Sequence, residues 1–144
     1  MRDDGASAAR LWLPVSSRAA KLARQHVAAI GAAWPDDLRD IAVLLTSELV
    51  TNALRYSNGA ICLTVQQTTD AVRIGVQDAN PATPQVITRR DATSERRRGM
   101  LLVDRLATRW GHTPSAVPPG KTVWFELDHP PADPPPDVTG FRRS

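Results

Sequence analysis

The sequence predicts an α+β fold, a two-layer α/β sandwich in which helices cover one face of a mostly antiparallel sheet. Three observations lead to this prediction. Two long segments carry apolar residues at helical spacing, several short segments have the apolar patterns of strands, and brief turns join neighbouring strands. In such a fold the helices and the sheet bury their apolar sides against each other.

The chain opens with a short edge strand and a helix. The run Leu11–Val15 is apolar and contains a proline, which suits a strand at the edge of a sheet. Ser16 or Ser17 can cap the next helix, whose apolar residues recur every three or four positions as far as Ile30. Gly31 lies just past the last of them, where a helix C-cap is expected.

A second, longer helix is predicted from Pro35 to about Tyr56. Proline is favoured in a first helical turn, and Asp36 and Asp37 suit the positive end of the helix dipole. The remaining predicted elements are strands Ala60–Gln66 and Ala71–Gln77 around a Thr68–Asp70 turn, a loop over 79–98, a helix Met100–Thr108, and strands Trp110–Thr113 and Thr122–Leu127 around a Pro118–Gly120 turn.

Length and composition indicate one domain. The 144 residues suffice for a core of normal size. We place the domain at residues 10–127, between a flexible tail at 1–9 and a Pro-rich, disordered tail at 128–144. Cys62 is the single cysteine, so it cannot form an internal disulfide, and its apolar surroundings predict a buried structural role.

Charge and hydropathy exclude some classes of protein. The formal net charge is +3, and sixteen of the eighteen basic residues are arginine, a bias that GC-rich coding also produces. No apolar run is long enough to cross a membrane, and residues 1–5 lack the apolar segment of a signal peptide. We therefore expect a cytoplasmic protein with no membrane partner.

Glu48 and Asn52 are the first candidate site residues. In the second helix they stand four residues apart on one flank, beside an apolar stripe. A carboxylate and a carboxamide one turn apart can orient a water molecule and offer oxygen ligands to a hard cation. The alternative is a solvated helix flank, where both residue types are common.

The ends of two predicted strands carry further polar groups. Asp78 could accept a hydrogen bond from the exocyclic amino group of adenine, or it could cap the following turn. Gly120 permits a tight approach of two backbones, although a hairpin turn would also explain it. Thr122 offers a hydroxyl beside the second strand end.

A basic run, Arg96–Arg98, precedes the last predicted helix. Free N–H groups of Gly99, Met100 and Leu101 at the helix N-terminus, together with an arginine such as Arg98, would suit a phosphate group. The alternatives are an exposed basic turn and a DNA-binding surface. The second alternative lacks an identifiable recognition helix, so we expect no direct nucleic-acid partner.

The order of these segments resembles the GHKL ATPase superfamily. The segments that match are Glu48–Ala53, Asp78, Gly99–Val103 and Gly120–Trp124. Together with Arg109–Gly111, they resemble the small histidine-kinase-like ATPases typified by bacterial anti-sigma factor serine kinases. The resemblance covers about residues 10–127 and implies a sandwich of the Bergerat type.

The resemblance also implies a binding site for ATP and Mg²⁺. Asn52 would coordinate Mg²⁺ together with the phosphates, and Glu48 would act as general base towards a serine hydroxyl of a protein substrate. Asp78 would recognise the adenine amino group, and Thr122 would support Asp78.

The family's glycine-rich segments are changed in this chain. By the resemblance, Gly99 and the N–H groups after it would contact the phosphates, and residues 79–98 would form a lid from which Arg98 or a neighbouring arginine could reach the γ-phosphate. The first glycine box, usually Asp-x-Gly-x-Gly, reads Asp78-Ala79-Asn80-Pro81-Ala82 here, and Arg97 replaces a glycine of the second box. Pro81 would stiffen the hinge of the lid.

Two functions follow from this resemblance. One is an ATP-dependent protein serine kinase that phosphorylates an anti-sigma-factor antagonist and sequesters a sigma factor. The other is a degenerate regulatory module that acts by protein contact with weak or no ATP turnover, and the missing glycines favour it. The relatives also pair through the sheet and the surface of the first helix, which suggests a homodimer. Leu11–Leu13 are either contacts of such a dimer or part of the core.

Overall fold

The computed structural model describes residues 7–56, 59–79, 95–116 and 119–129. These residues form, in order, β1 (Ser7–Leu13), α1 (Ala19–Ile30), α2 (Asp36–Tyr56), β2 (Ile61–Gln67), β3 (Ala71–Asp78), α3 (Glu95–Leu106), β4 (Arg109–Ala116) and β5 (Pro119–Asp128). Each helix and strand predicted from the sequence is present in the predicted order, which confirms the α+β fold.

The five strands form one sheet in the order β1-β2-β3-β5-β4, and every neighbouring pair is antiparallel. β1 and β4 are therefore the edges. Pro114 lies inside β4, which an edge strand tolerates because half of its N–H groups have no partner strand to bond. Pro119 is the first residue of β5, another position where a missing N–H is tolerated.

The sheet has an inner face, which the helices cover, and an outer face, which they do not. Burial alternates along the central strands, so that odd-numbered residues of β5 and even-numbered residues of β3 lie on the inner face. The core consists of these side chains and the apolar stripes of the helices. Its largest fully buried members include Phe125, Leu45, Ile61, Leu63, Ile74 and Met100.

The first helix ends at Gly31, as predicted, but for a different reason. The φ angle of Gly31 is −92°, which any residue can adopt. A Cβ atom at this position would lie 2.3 Å from Cε3 of Trp34, so the indole ring leaves no room for a side chain. The N-cap is Arg18, and Ser16 accepts the Arg18 N–H at 3.1 Å without being the cap itself.

The limits of the first and last strands differ from the prediction. β1 starts at Ser7 instead of Leu11, because residues 7–9 pair with Val65–Gln67 of β2. β5 continues to Asp128, and the His129 N–H donates to the Asp70 carbonyl at 3.0 Å. The folded part therefore begins about three residues earlier and ends slightly later than predicted. Residues 1–6 and 130–144 of the predicted tails lie outside the described residues.

Cys62 is buried, as predicted, but on the outer face rather than in the core between the layers. Its cross-strand neighbours are Trp12 on β1 and Gln77 on β3. Among the described residues, no helix is both long and apolar enough to cross a membrane.

Candidate functional site

A buried carboxylate lies at the C-terminal end of β3, on the inner face of the sheet. Asp78 is the last residue of this strand and is 4% exposed, following the buried Val72, Ile74 and Val76 along the inner face. Directly opposite on β5 lies Lys121, which is 3% exposed. Its Nζ is 3.3 Å from both Oδ1 and Oδ2 of Asp78, so the two side chains form a buried ion pair.

The sequence reasoning did not assign Lys121 to the site. The alternation of residues in β5 could have identified it. Lys121 lies on the same face of this strand as the apolar Val123, Phe125 and Leu127. A lysine in phase with apolar residues points to the core, and a buried lysine requires a partner.

Thr122 does not lie beside Asp78. It is the next residue after Lys121 and therefore points to the outer face, where its Cγ2 would lie 3.0 Å from a Cβ added at Gly75. Its cross-strand neighbour on β3 is Gln77. The expectation that Thr122 supports the Asp78 carboxylate is thus corrected, because Lys121 takes that position on the inner face.

Gly120 permits a close contact between two backbones at this end of the sheet. A Cβ atom added here would lie 2.0 Å from the carbonyl oxygen of Asp78 and 3.0 Å from Cα of Ala79. The predicted tight approach is confirmed, and this position excludes every side chain. Gly120 therefore allows β5 to start directly beside the end of β3, where Asp78 and Lys121 face each other.

Glu48 and Asn52 lie on α2, a helix that packs against the sheet. α2 carries them one turn apart, each half-buried, while Leu45, Leu49 and Ala53 of the same helix pack in the core. The helix contacts β3, β5 and α3. α2 and the two strands that carry Asp78 and Lys121 therefore pack together.

The third helix begins earlier than predicted, and this changes the phosphate site. α3 starts at Glu95, so Gly99 is its fifth residue and Met100 its sixth. Only the first four N–H groups of a helix lack a helical acceptor, so those of Gly99, Met100 and Leu101 are not free in this structure. Glutamate and arginine are good helix formers, and Glu95 suits the helix N-terminus, which explains the early start.

The side chains of this predicted phosphate site are placed differently from one another. Met100 is 1% exposed and belongs to the core, and Leu101 is half-buried. Arg98 lies in the first turn of α3, and its side chain is outside the described part of the chain. Residues 80–94 also lie outside the described part of the chain, and they include most of the predicted lid and the two changed glycine positions of the first box, Asn80 and Ala82.

Comparison with protein-family models matches residues 37–131 to the family described as histidine kinase-, DNA gyrase B-, and HSP90-like ATPase. The match runs from α2 to beyond β5 and covers more than half of the chain. The chain belongs to this ATPase family. Comparison with curated proteins found no match.

Membership of the GHKL ATPases confirms the predicted superfamily and its two-layer fold. This family binds ATP, usually with Mg²⁺. The described residues suit both groups. Asp78 would offer a buried acceptor to a base, and Asn52 would offer one amide oxygen to Mg²⁺. This ion commonly takes one or two protein ligands and completes its shell with phosphates and water.

Proposed function

We propose that this protein is an ATP-dependent regulatory kinase of the anti-sigma factor type. It phosphorylates a serine of an anti-sigma-factor antagonist, sequesters a sigma factor and works in the cytoplasm. The observation that supports this proposal most is the buried carboxylate of Asp78 at the inner end of β3, in a chain that belongs to an ATP-binding family.

Asp78, Asn52 and Glu48 each have one part in the proposed reaction. The Asp78 carboxylate accepts a hydrogen bond from the adenine amino group and fixes the base. The Asn52 amide oxygen would hold Mg²⁺, which would supply charge neutralisation to the transferring phosphoryl group. Glu48 lies one turn before Asn52 on α2, so a γ-phosphate held through Asn52 would lie on the helix that also carries Glu48.

Glu48 activates the substrate serine. Its carboxylate takes the hydroxyl proton as the serine oxygen bonds to the γ-phosphorus, the bond from this phosphorus to the bridging oxygen breaks, and ADP leaves. The half-buried position of Glu48 leaves it open to a protein substrate on one side.

A second candidate is a regulatory module that acts by protein contact without turning ATP over. Two observations favour it. The first glycine box lacks both of its glycines, and Lys121 already neutralises the carboxylate that would read the base. In this version the same surfaces bind the sigma factor or its antagonist, and nucleotide binding is weak.

Phosphoryl transfer to candidate antagonists separates the two functions. Purified protein is incubated with labelled ATP, Mg²⁺ and each antagonist, and phosphoserine is measured. We expect Glu48→Gln to lower transfer by about 100-fold or more while Mg²⁺–ATP still binds, since general-base catalysis typically contributes that much. Asn52→Ala should lose both binding and transfer.

The matched control is Asp40→Asn, which removes an exposed carboxylate two turns before Glu48 on the same helix. It should phosphorylate the antagonist like the wild type. If the wild type binds Mg²⁺–ATP but forms no phosphoserine with any antagonist, the kinase is excluded and the binding module remains.

A further inference from the structure

We propose that residues 130–144 of this chain bind in a groove between α1 and α2, which we call the α1–α2 groove. In this arrangement Asp137 pairs with Arg24 at one end of the groove, and Asp133 lies at the other end, beside Arg39. The inference concerns a surface separate from the nucleotide site and does not depend on the proposed function.

The α1–α2 groove has an apolar lining that water can reach. Its volume is about 480 Å³, and its apolar residues are Ala28 of α1 with Val43 and Leu44 of α2. Leu44 is 40% exposed, whereas its neighbour Leu45 is fully buried in the core. An occupant of the groove would therefore remove apolar surface from water, which stabilises the bound state.

An arginine lies at each end of the groove. Arg24 donates to Oγ of Ser47 at 3.1 Å, so it bonds a neutral hydroxyl rather than a carboxylate. The helix that carries it, α1, contains Lys21 and no acidic residue. Arg39 lies eight residues before Ser47 on α2, about 12 Å along the helix. The single acid among the lining residues is Asp40, which is exposed, so the Arg24 end favours an acidic occupant.

The described chain ends close to the Arg39 end of this groove. Nε2 of His129 lies 3.3 Å from the carbonyl oxygen of Thr68, at the turn after β2. The preceding residue, Gln67, accepts a hydrogen bond from Nε1 of Trp34 at 2.9 Å. The Trp34 carbonyl in turn accepts from Arg39 at 3.2 Å. These successive contacts connect the start of the 130–144 segment to the groove.

The sequence of this segment matches the order of groups in the groove. Asp133 and Asp137 flank the three prolines Pro134–Pro136. Proline-rich segments favour an extended backbone of about 3.1 Å per residue, so the two carboxylates are about 12 Å apart, like Arg39 and Ser47 along α2. Proline rings can cover the apolar lining between the charged ends without burying an N–H donor.

A nitroxide label on the whole chain tests the proposal. Thr139→Cys carries the label two residues after Asp137, and Cys62 does not compete for it because Cys62 is 1% exposed. The loss of amide signal intensity in NMR spectra then shows where the segment lies. We expect the strongest losses at Ala28, Leu44 and Ser47.

Two variants examine the ion pair at the Arg24 end. Asp137→Asn and Arg24→Gln should each lower the occupancy of the groove by about twofold or more, the usual effect of losing one exposed ion pair. The double variant should lose no more than either single variant, because both changes remove the same contact. Arg10→Gln, at an exposed arginine of β1, is the matched control and should leave the occupancy unchanged.

Three outcomes overturn the inference. Losses confined to Thr68–Asp70, beside the start of the segment, would leave the groove to a different occupant. Losses in the groove that neither Asp137→Asn nor Arg24→Gln changes would show that the charges do not hold the segment there. Losses that appear only when isotope-labelled chains are mixed with separate nitroxide-labelled chains would assign the groove to a second copy.

Discussion

Two charged clusters lie on opposite faces of the same two strands, β3 and β5. The inner cluster is the pair Asp78–Lys121, which is almost fully buried and whose atoms are 3.3 Å apart. The outer cluster joins Arg73 and Arg109 to Glu126 at 2.8 and 2.6 Å, and Arg109 also bonds Asp128. Its side chains are between 19% and 54% exposed. The exposed contacts are thus the short ones, and the buried contact is the long one.

The two clusters therefore differ in how far water compensates their charges. The outer cluster ties β3, β5 and β4 together, and Arg73 stacks 3.9 Å from the ring centroid of Trp124. Its charges remain partly in water, so few of them need full compensation. The inner pair has lost its water, so its two charges depend on compensation within the protein.

The largest effect is expected from breaking the inner pair on one side. Lys121→Met leaves a buried carboxylate without its cation and should lower the free energy of unfolding by about 3–5 kcal/mol at pH 7. Asp78→Asn/Lys121→Met removes both charges and should recover most of that loss. Urea unfolding measures both variants. Equal losses in the single and double variants would show that the ion pair is not the cause.

The next largest effect concerns the close contact that sets up the inner cluster. Gly120→Ala places a methyl group against the Asp78 carbonyl, and the strand ends must move apart. We expect a loss of about 2 kcal/mol or more, as for other overpacked sites. Gly59→Ala is the matched control, because its Cβ would lie at an ordinary 3.8 Å from Ala79, and it should change stability by less than about 1 kcal/mol. A tolerated Gly120→Ala would contradict the contact.

The outer cluster should give a smaller, pH-dependent effect. Burial by itself raises the pKa of Glu126, but hydrogen bonds from Arg109 and Arg73 outweigh it and hold this pKa below the usual 4.5. A carboxyl group with a lowered pKa stabilises the fold above its unfolded-state pKa, and this contribution disappears as the pH falls through the folded-state value.

Glu126→Gln therefore tests the outer cluster. At pH 7 it should lower the free energy of unfolding by about 1 kcal/mol or less per ion pair. The difference from wild type should shrink as the pH falls below 4.5. Denaturant unfolding at several pH values measures this. A difference that stays constant or grows towards low pH would rule out the ion pairs as its source.

The smallest effect on the folded chain is expected at Trp12. This side chain lies on the outer face of the edge strand β1 and is 63% exposed. Trp12→Ser should change the stability of the monomer by less than about 0.5 kcal/mol. In the homodimer that we propose through this face of the sheet, the same variant should shift the protein towards monomer in analytical ultracentrifugation. An unchanged dimer would place the contact elsewhere.

The fold was predictable from local patterns, but the pairing partners were not. Helical spacing identified α1 and α2, and apolar patterns identified the strands. The start of β1 at Ser7 depends on β2, more than fifty residues away in the sequence, so Ser7 to Ala9 carry no local signal. The helix start at Glu95 differs from the predicted boundary at Gly99, because the residues before Gly99 include strong helix formers and extend the helix by four positions.

The candidate site was likewise predictable where it depends on local patterns, but not where it depends on strand pairing. The placement of residues 48 and 52 on one flank of α2 follows from their spacing of four positions. The neighbour of Asp78 on the sheet depends on the register between β3 and β5, which decides whether residue 121 or residue 122 faces Asp78. The resemblance of motifs assigns the support of Asp78 to Thr122. Only the pairing of β3 with β5 shows that Lys121 occupies the inner face.

Titration of Mg²⁺–ATP into the wild type, Asn52→Ala and Glu126→Gln tests most directly whether the inner end of the sheet is the nucleotide site. Calorimetry should show saturable binding to the wild type and to Glu126→Gln, which changes only the outer face. Asn52→Ala should lose at least about tenfold in affinity, the effect of removing one metal ligand or charge-assisted contact. Equal heats in wild type and Asn52→Ala, or no binding in either, would contradict the assignment of the site.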